Sequence, residues 1–255
     1  MTGLTTLLWP LVVLLGASTG IRVTESLFVP AAIFGDDNNN DALIGSLTSL
    51  GCNRKVFLKC ATKYVRHFGL LTPPRDASDY MRALHDHVAL HGRDGYAQVC
   101  SWDHEFQRCL TRAGHGCLTW AGLKTFGLDD RNAIAYSQQA AKQKYECSTA
   151  ARDVWYHHWD CIANVSQSEQ ATFAKCVTDF QTAFAKRPQR ACRLSATLVN
   201  CIRKPFKRCG RKVGHFMCED VWAAMHVVFP RCPSNCSKHH RALRRELADR
   251  RDPEM

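Results

Sequence analysis

Apolar residues recur along this chain with the spacing of buried helix faces. Phe173, Cys176, Val177, Phe180 and Phe184 fall at i, i+3, i+4, i+7 and i+11, one stripe that Pro188 ends. Ser166 and Glu169 stand ahead of it with capping-box spacing, which predicts the helix start. Leu194, Leu198, Cys201 and Ile202 form a second stripe, stopped by Pro205. Cys218, Val221, Trp222, Met225 and Phe229 form a third, stopped by Pro230.

The first half shows the same pattern more faintly. Ser78 or Asp79 caps a helix carrying Met81, Leu84 and Val88, which ends at Gly92. The next carries Val99, Trp102, Phe106, Cys109 and Leu110 and ends at Gly114 or Gly116. Asp129 or Asp130 caps an unbroken stretch from Arg131 to about Asn164, with Ile134, Tyr145, Trp155, Trp159 and Ile162 on its ladder. No run alternates with period two. The expected fold is all-α, a disulfide-rich helical bundle of two related helical modules.

The cysteines carry the relation between the modules. Cys100, Cys109 and Cys117 have the spacing C-x8-C-x7-C, and so do Cys192, Cys201 and Cys209. Nine residues of helix turn through about 900°, so the first two cysteines of each triple face opposite sides. Each staples its helix to a different neighbour. The third lies just past a breaker, Gly116 or Pro205, and clamps the outgoing chain. Cys147, Cys161 and Cys176 lead into the second triple, whereas only Cys52 and Cys60 precede the first, with no counterpart for Cys176. With Cys218, Cys232 and Cys236 the total is 14, an even number, which reads as seven bridges in an exported chain. Spacing alone does not set the pairings. Cys232 and Cys236 are close enough to resemble a metal hook, but no second tight pair completes a four-ligand set.

Both ends support export. Residues 1–20 hold no charged side chain, an apolar core from Leu4 to Leu15 and small residues after it, the pattern of a signal peptide cleaved near residue 18 or 20. Residues 21–50 are a leader with a polar run from Asp36 to Asp41, residues 51–145 the first module, 146–236 the second and 237–255 a basic tail. No later segment is long and apolar enough to cross a bilayer. Asn164 and Asn235 begin glycosylation sequons.

Charge changes the picture once more. Residues 1–185 hold 17 Lys and Arg against 17 Asp and Glu, whereas residues 186–255 hold 17 against 6, so the net charge of +11 lies in the last part. Arg203, Lys204, Lys207, Arg208, Arg211 and Lys212 cluster around Pro205 and Gly210, a candidate surface for a polyanion: a sulfated glycan, an anionic lipid or a microbial surface. Export removes nucleic acid as a partner.

Residues 147–232, from the segment YECSTAARDVWYHHWDCIANV through CRLSATLVNCIRKPFKRC to EDVWAAMHVVFPRC, resemble two groups of secreted invertebrate proteins. These are the insect 27 kDa hemolymph glycoprotein family and a nematode extracellular domain of unknown function. The resemblance lies mostly in cysteine spacing. It implies a secreted, helical, disulfide-bonded protein and supplies no catalytic residue.

Catalytic motifs are absent: no G-x-S-x-G elbow, H-E-x-x-H or phosphate-binding glycine loop occurs. His104-Glu105 faintly resembles the His-Asp pair of secreted phospholipases A2, without that family's adjacent cysteines or calcium loop. His87 and His91 share a helical face, yet no further ligand stands near them in sequence. The expectation is a non-catalytic extracellular binding protein with no metal and no cofactor. The alternative is a carrier of a small apolar ligand or lipid, in a pocket lined by Trp155, Trp159, Phe173, Phe180 or Trp222. A phospholipase-like enzyme comes third.

Overall fold

The computed structural model describes residues 51–234 and Cys236. Residues 1–20 expected as a signal peptide, the leader 21–50, the tail 237–255 and Asn235 lie outside the described residues. The elements are α1 (Arg54–Arg66), α2 (Ala77–Leu110), α3 (Trp120–Lys124), α4 (Asp130–Glu146), α5 (Thr149–Ser168), α6 (Gln170–Lys186), α7 (Ala191–Phe206) and α8 (Arg211–Val228), with no strand among the described residues. The fold is all-α and disulfide-rich.

Side-chain caps set several helix starts. The Asn53 side chain accepts from the Val56 amide, and Asp129 accepts from the Asn132 amide. Asp76, rather than Ser78 or Asp79, caps α2, accepting from the Ser78 amide. Gly92 breaks α2 as expected, at φ 59° and ψ −138°, but a second helical segment follows at once. The stretch from Arg131 to Asn164 is not unbroken. Cys147 and Ser148 separate α4 from α5, with the Ser148 backbone extended at φ −64° and ψ 151°. The Ser166 capping box does not form: Ser166 is buried inside α5, and the break falls at Glu169. Pro205 does not stop α7 but sits in its final turn, which runs to Phe206.

The stripes of the second half are buried as the pattern predicts. Phe173, Cys176, Val177, Phe180 and Phe184 on α6 face Leu198 and Ile202 on α7 and Val221, Trp222 and Met225 on α8 in one core. That core also takes in Tyr64, Tyr80, Leu84 and Val99 from the first half. A second, smaller cluster joins Phe57 and Ala61 on α1 to Leu110, Leu123 and Ala133.

All 14 cysteines are paired, as Cys52–Cys117, Cys60–Cys109, Cys100–Cys147, Cys161–Cys209, Cys176–Cys201, Cys192–Cys232 and Cys218–Cys236. Each triple behaves as helix geometry requires. Its first cysteine bonds forward, its second and third bond backward, and no helix is bridged to itself. Six cysteines in each half therefore share one connectivity. Cys52 corresponds to Cys161, Cys60 to Cys176, Cys100 to Cys192, Cys109 to Cys201, Cys117 to Cys209 and Cys147 to Cys232. Two sequence expectations change. Cys176 does have a counterpart, Cys60, and Cys147 closes the first set rather than leading into the second. Cys218–Cys236 is the added bridge. Every bond closes within 52–147 or within 161–236. No disulfide joins the halves, and helices in equivalent places, α4 and α8, pack on each other most extensively.

Candidate ligand pocket and surface sites

The α4–α8 seam is polar. Gln138, Lys142, Gln143 and Glu146 on α4 are buried, as is Asp220 on α8. Lys142 Nζ lies 2.7 Å from Asp220 Oδ2 and 3.8 Å from Glu146 Oε1. Burial pulls the Lys142 pKa down, but Asp220 and Glu146 outweigh it and hold the amine above its usual value. Glu146 is pushed up to about 8, first by burial and then by Asp220. The seam therefore holds one ion pair, Lys142 with Asp220, beside a carboxyl that is mostly protonated at neutral pH.

On the other side of α4, the two apolar clusters meet imperfectly and leave a pocket of about 200 Å³. Phe57, Leu58, Ala61 and Tyr64 of α1 form one wall. Tyr80, Asp103 and Phe106 of α2 form another, and Tyr136, Ala140 and Gln143 of α4 a third. Phe126 stacks on Phe57 at 4.7 Å, and Tyr64 on Phe106 at 4.7 Å. The segment Pro73–Arg75 edges the pocket, tied down by a 2.6 Å bond from the Tyr136 hydroxyl to the Pro74 carbonyl.

One end of the pocket is polar and largely closed on itself. Gln143 Nε2 donates to the Tyr64 hydroxyl. The Tyr64 and Tyr80 hydroxyls are 3.3 Å apart, and Tyr80 donates to Gln143 Oε1 at 3.1 Å. With Tyr64 donating to Tyr80, these bonds form a cycle that uses both hydroxyl protons and one of the two Gln143 N–H donors. Burial raises the pKa of both tyrosines, so they stay protonated.

Asp103 also lines the pocket and is only 3% exposed. Its carboxyl accepts one long hydrogen bond, from Gln107 Nε2 at 3.4 Å. Burial pushes its pKa up to about 6. The exposed His104 and Lys144 are its charged neighbours, and among the described residues no cation forms an ion pair with it.

The sequence reading missed this pocket. Its one local sign is Asp103, which stands between Val99 and Phe106 at the i+4 position of an apolar stripe, where a carboxylate is out of place. Of the aromatics named for a carrier, Trp155 and Trp159 line a separate surface cleft of about 350 Å³ with Arg93, Tyr96 and Tyr156. Tyr96 stacks on Trp155 at 4.4 Å there, and much of the remaining lining is exposed. Phe173, Phe180 and Trp222 are ordinary core.

The six basic residues of the cluster have different surroundings. Arg208 is committed to Glu169 at 3.2 Å and to the Ser168 hydroxyl at 2.7 Å. Arg203 is half-buried with its guanidinium 4.0 Å from Cys218 Sγ, and burial lowers its pKa. Lys204, Lys207, Arg211 and Lys212 are exposed around the turn at Gly210. His104 and Glu105 are exposed, and Glu105 pairs with Lys63 at 3.0 Å. His87 packs against His91 and Trp102, and no group of three His, Cys, Asp or Glu among the described residues could hold a metal. Asn164 is exposed on α5, whereas the Ser166 of its sequon is buried. No helix is long and apolar enough to cross a membrane among the described residues.

No family model, no curated protein and no solved structure matches the chain.

Proposed function

We propose that this chain is an extracellular, disulfide-stabilised binding protein that carries a small apolar ligand in the α1–α2–α4 pocket, without catalysis. The observation that carries the reading is a pocket with aromatic walls and a polar end, the ordinary design of a ligand site. Its volume, about 200 Å³, is below the roughly 300–1,000 Å³ of drug-sized sites, so the ligand is small, a single ring or a short chain. Seven disulfides suit an oxidising, extracellular setting, and the cysteine resemblance of residues 147–232 carries the same expectation. The exposed, ion-paired place of Glu105 beside His104 argues against the lipolytic reading. A glycan at Asn164 would be added before α5 packs, because Ser166 must still be accessible.

The test is native purification followed by mass spectrometry of released small molecules. Wild-type protein is expected to release a stoichiometric compound. Ala140→Phe, which fills the pocket wall, is expected to release none. A ligand retained by this variant would refute the assignment.

A second reading keeps the basic surface, reduced to the exposed Lys204, Lys207 and Lys212. Retention on heparin at physiological salt, lost on changing these three to alanine, would support it. Elution at the same salt as the variant would end it.

A further inference from the structure

We infer that the ligand of this pocket is a small amphiphilic amine, its apolar part among Phe57, Phe106 and Phe126 and its ammonium against Asp103. The inference rests on the pocket being a ligand site and adds the chemistry of the ligand. The hydroxyls of Tyr64 and Tyr80 and the Gln143 amide bond to one another and use both hydroxyl protons and one Gln143 N–H, so the polar end asks little of a ligand. Asp103 differs. It is a buried carboxyl on the pocket wall with one long hydrogen bond and no paired cation. A carboxylate buried without a partner is costly, and an ammonium donor that can reach it relieves that cost with a charge-assisted bond.

The competing occupant is an anionic amphiphile held by Arg75 at the rim. Arg75 is exposed, where water and salt screen an ion pair to little value. The tail of such a ligand would also seal Asp103 under apolar groups without giving it a donor. Both considerations favour the amine.

The probes are 2-phenylethylamine, 2-phenylethanol and 3-phenylpropionate, titrated calorimetrically into the full-length secreted protein with its disulfides intact. The amine is expected to bind about 10-fold or more tighter than the alcohol, and the carboxylate weakest. Asp103→Asn is expected to bring the amine to the level of the alcohol, leave the alcohol unchanged and retain the far-UV helical signal. Equal binding of amine and alcohol, tightest binding of the carboxylate, or an unchanged amine affinity in Asp103→Asn would overturn the inference while leaving the pocket a ligand site. Binding of none of the three would overturn both readings. Should Asp103→Asn fail to fold, the order of the three affinities in the wild type decides alone.

Discussion

Lys142→Met removes the one buried cation of the α4–α8 seam among the described residues and nearly preserves the length of the side chain. Lys142 and Asp220 are 3% and 1% exposed and 2.7 Å apart. At an effective dielectric constant of about 20, that separation gives an attraction of roughly 6 kcal/mol. Taking two charges out of water costs several kcal/mol each, so the intact pair contributes little net stability. Breaking it is another matter. The buried Asp220 carboxylate loses the cation paired with it, beside a Glu146 whose pKa burial holds above its usual value. The expected cost is about 3–5 kcal/mol at pH 7. Urea denaturation with the disulfides intact measures it, through the midpoint and slope of each curve. Adding Asp220→Leu to Lys142→Met should recover most of the loss, since apolar groups can replace a buried pair at little cost. A loss below about 1 kcal/mol at pH 7, or no recovery in the double variant, would refute the argument that this seam is balanced by charge.

Two further outcomes test the pocket wall and the frame around it. The pKa of Asp103 is raised from 3.8 to about 6, so the folded state holds its proton more tightly than the unfolded one. The group stabilises fully below pH 3.8, and that contribution is lost as the pH rises to about 6, some 3 kcal/mol in all. Asp103→Asn is expected to gain on the wild type over this window in urea denaturation, and parallel pH profiles would contradict it. Gly114→Ala should unfold the N-terminal staple, because at φ 100° its Cβ would fall 1.8 Å from the Gly51 carbonyl oxygen. Gly92→Ala meets no atom and should cost only backbone strain, about 1–3 kcal/mol. Thermal melts of both variants separate these costs, and equal melting temperatures would refute the distinction.

Much of the second half was legible in the sequence because its helices bury one apolar stripe each. Phe173 to Phe184 on α6 and Cys218 to Met225 on α8 show it. The bonding of each triple to different neighbours followed from the nine-residue turn between Cys100 and Cys109. The buried place of α4 was not legible, because Gln138, Lys142, Gln143 and Glu146 are polar and continue no apolar stripe. They are buried only because α8 presents Asp220 and α1 and α2 present tyrosines. The pocket stayed hidden for the same reason. Its polar cycle joins Gln143 to Tyr80 and Tyr64, 63 and 79 residues away. No local period records a contact at that range. The basic cluster was legible as a run of charge but not in its contacts. Its residues are adjacent in sequence, but α7 and the following turn send Arg203 toward Cys218 and Arg208 toward Glu169.

The repeated disulfide connectivity bears on how the chain can mature as it is threaded out of the ribosome. Every bond of the first set has both its thiols at or before Cys147, and the first cysteine of the second set is Cys161. An oxidase meeting the chain in order of synthesis can complete three bonds before any wrong partner from the second half emerges. The six sulfurs of the first set thus choose among 15 arrangements of their own. Oxidation can proceed one half at a time, while α4 waits with its polar face uncovered until α8 arrives.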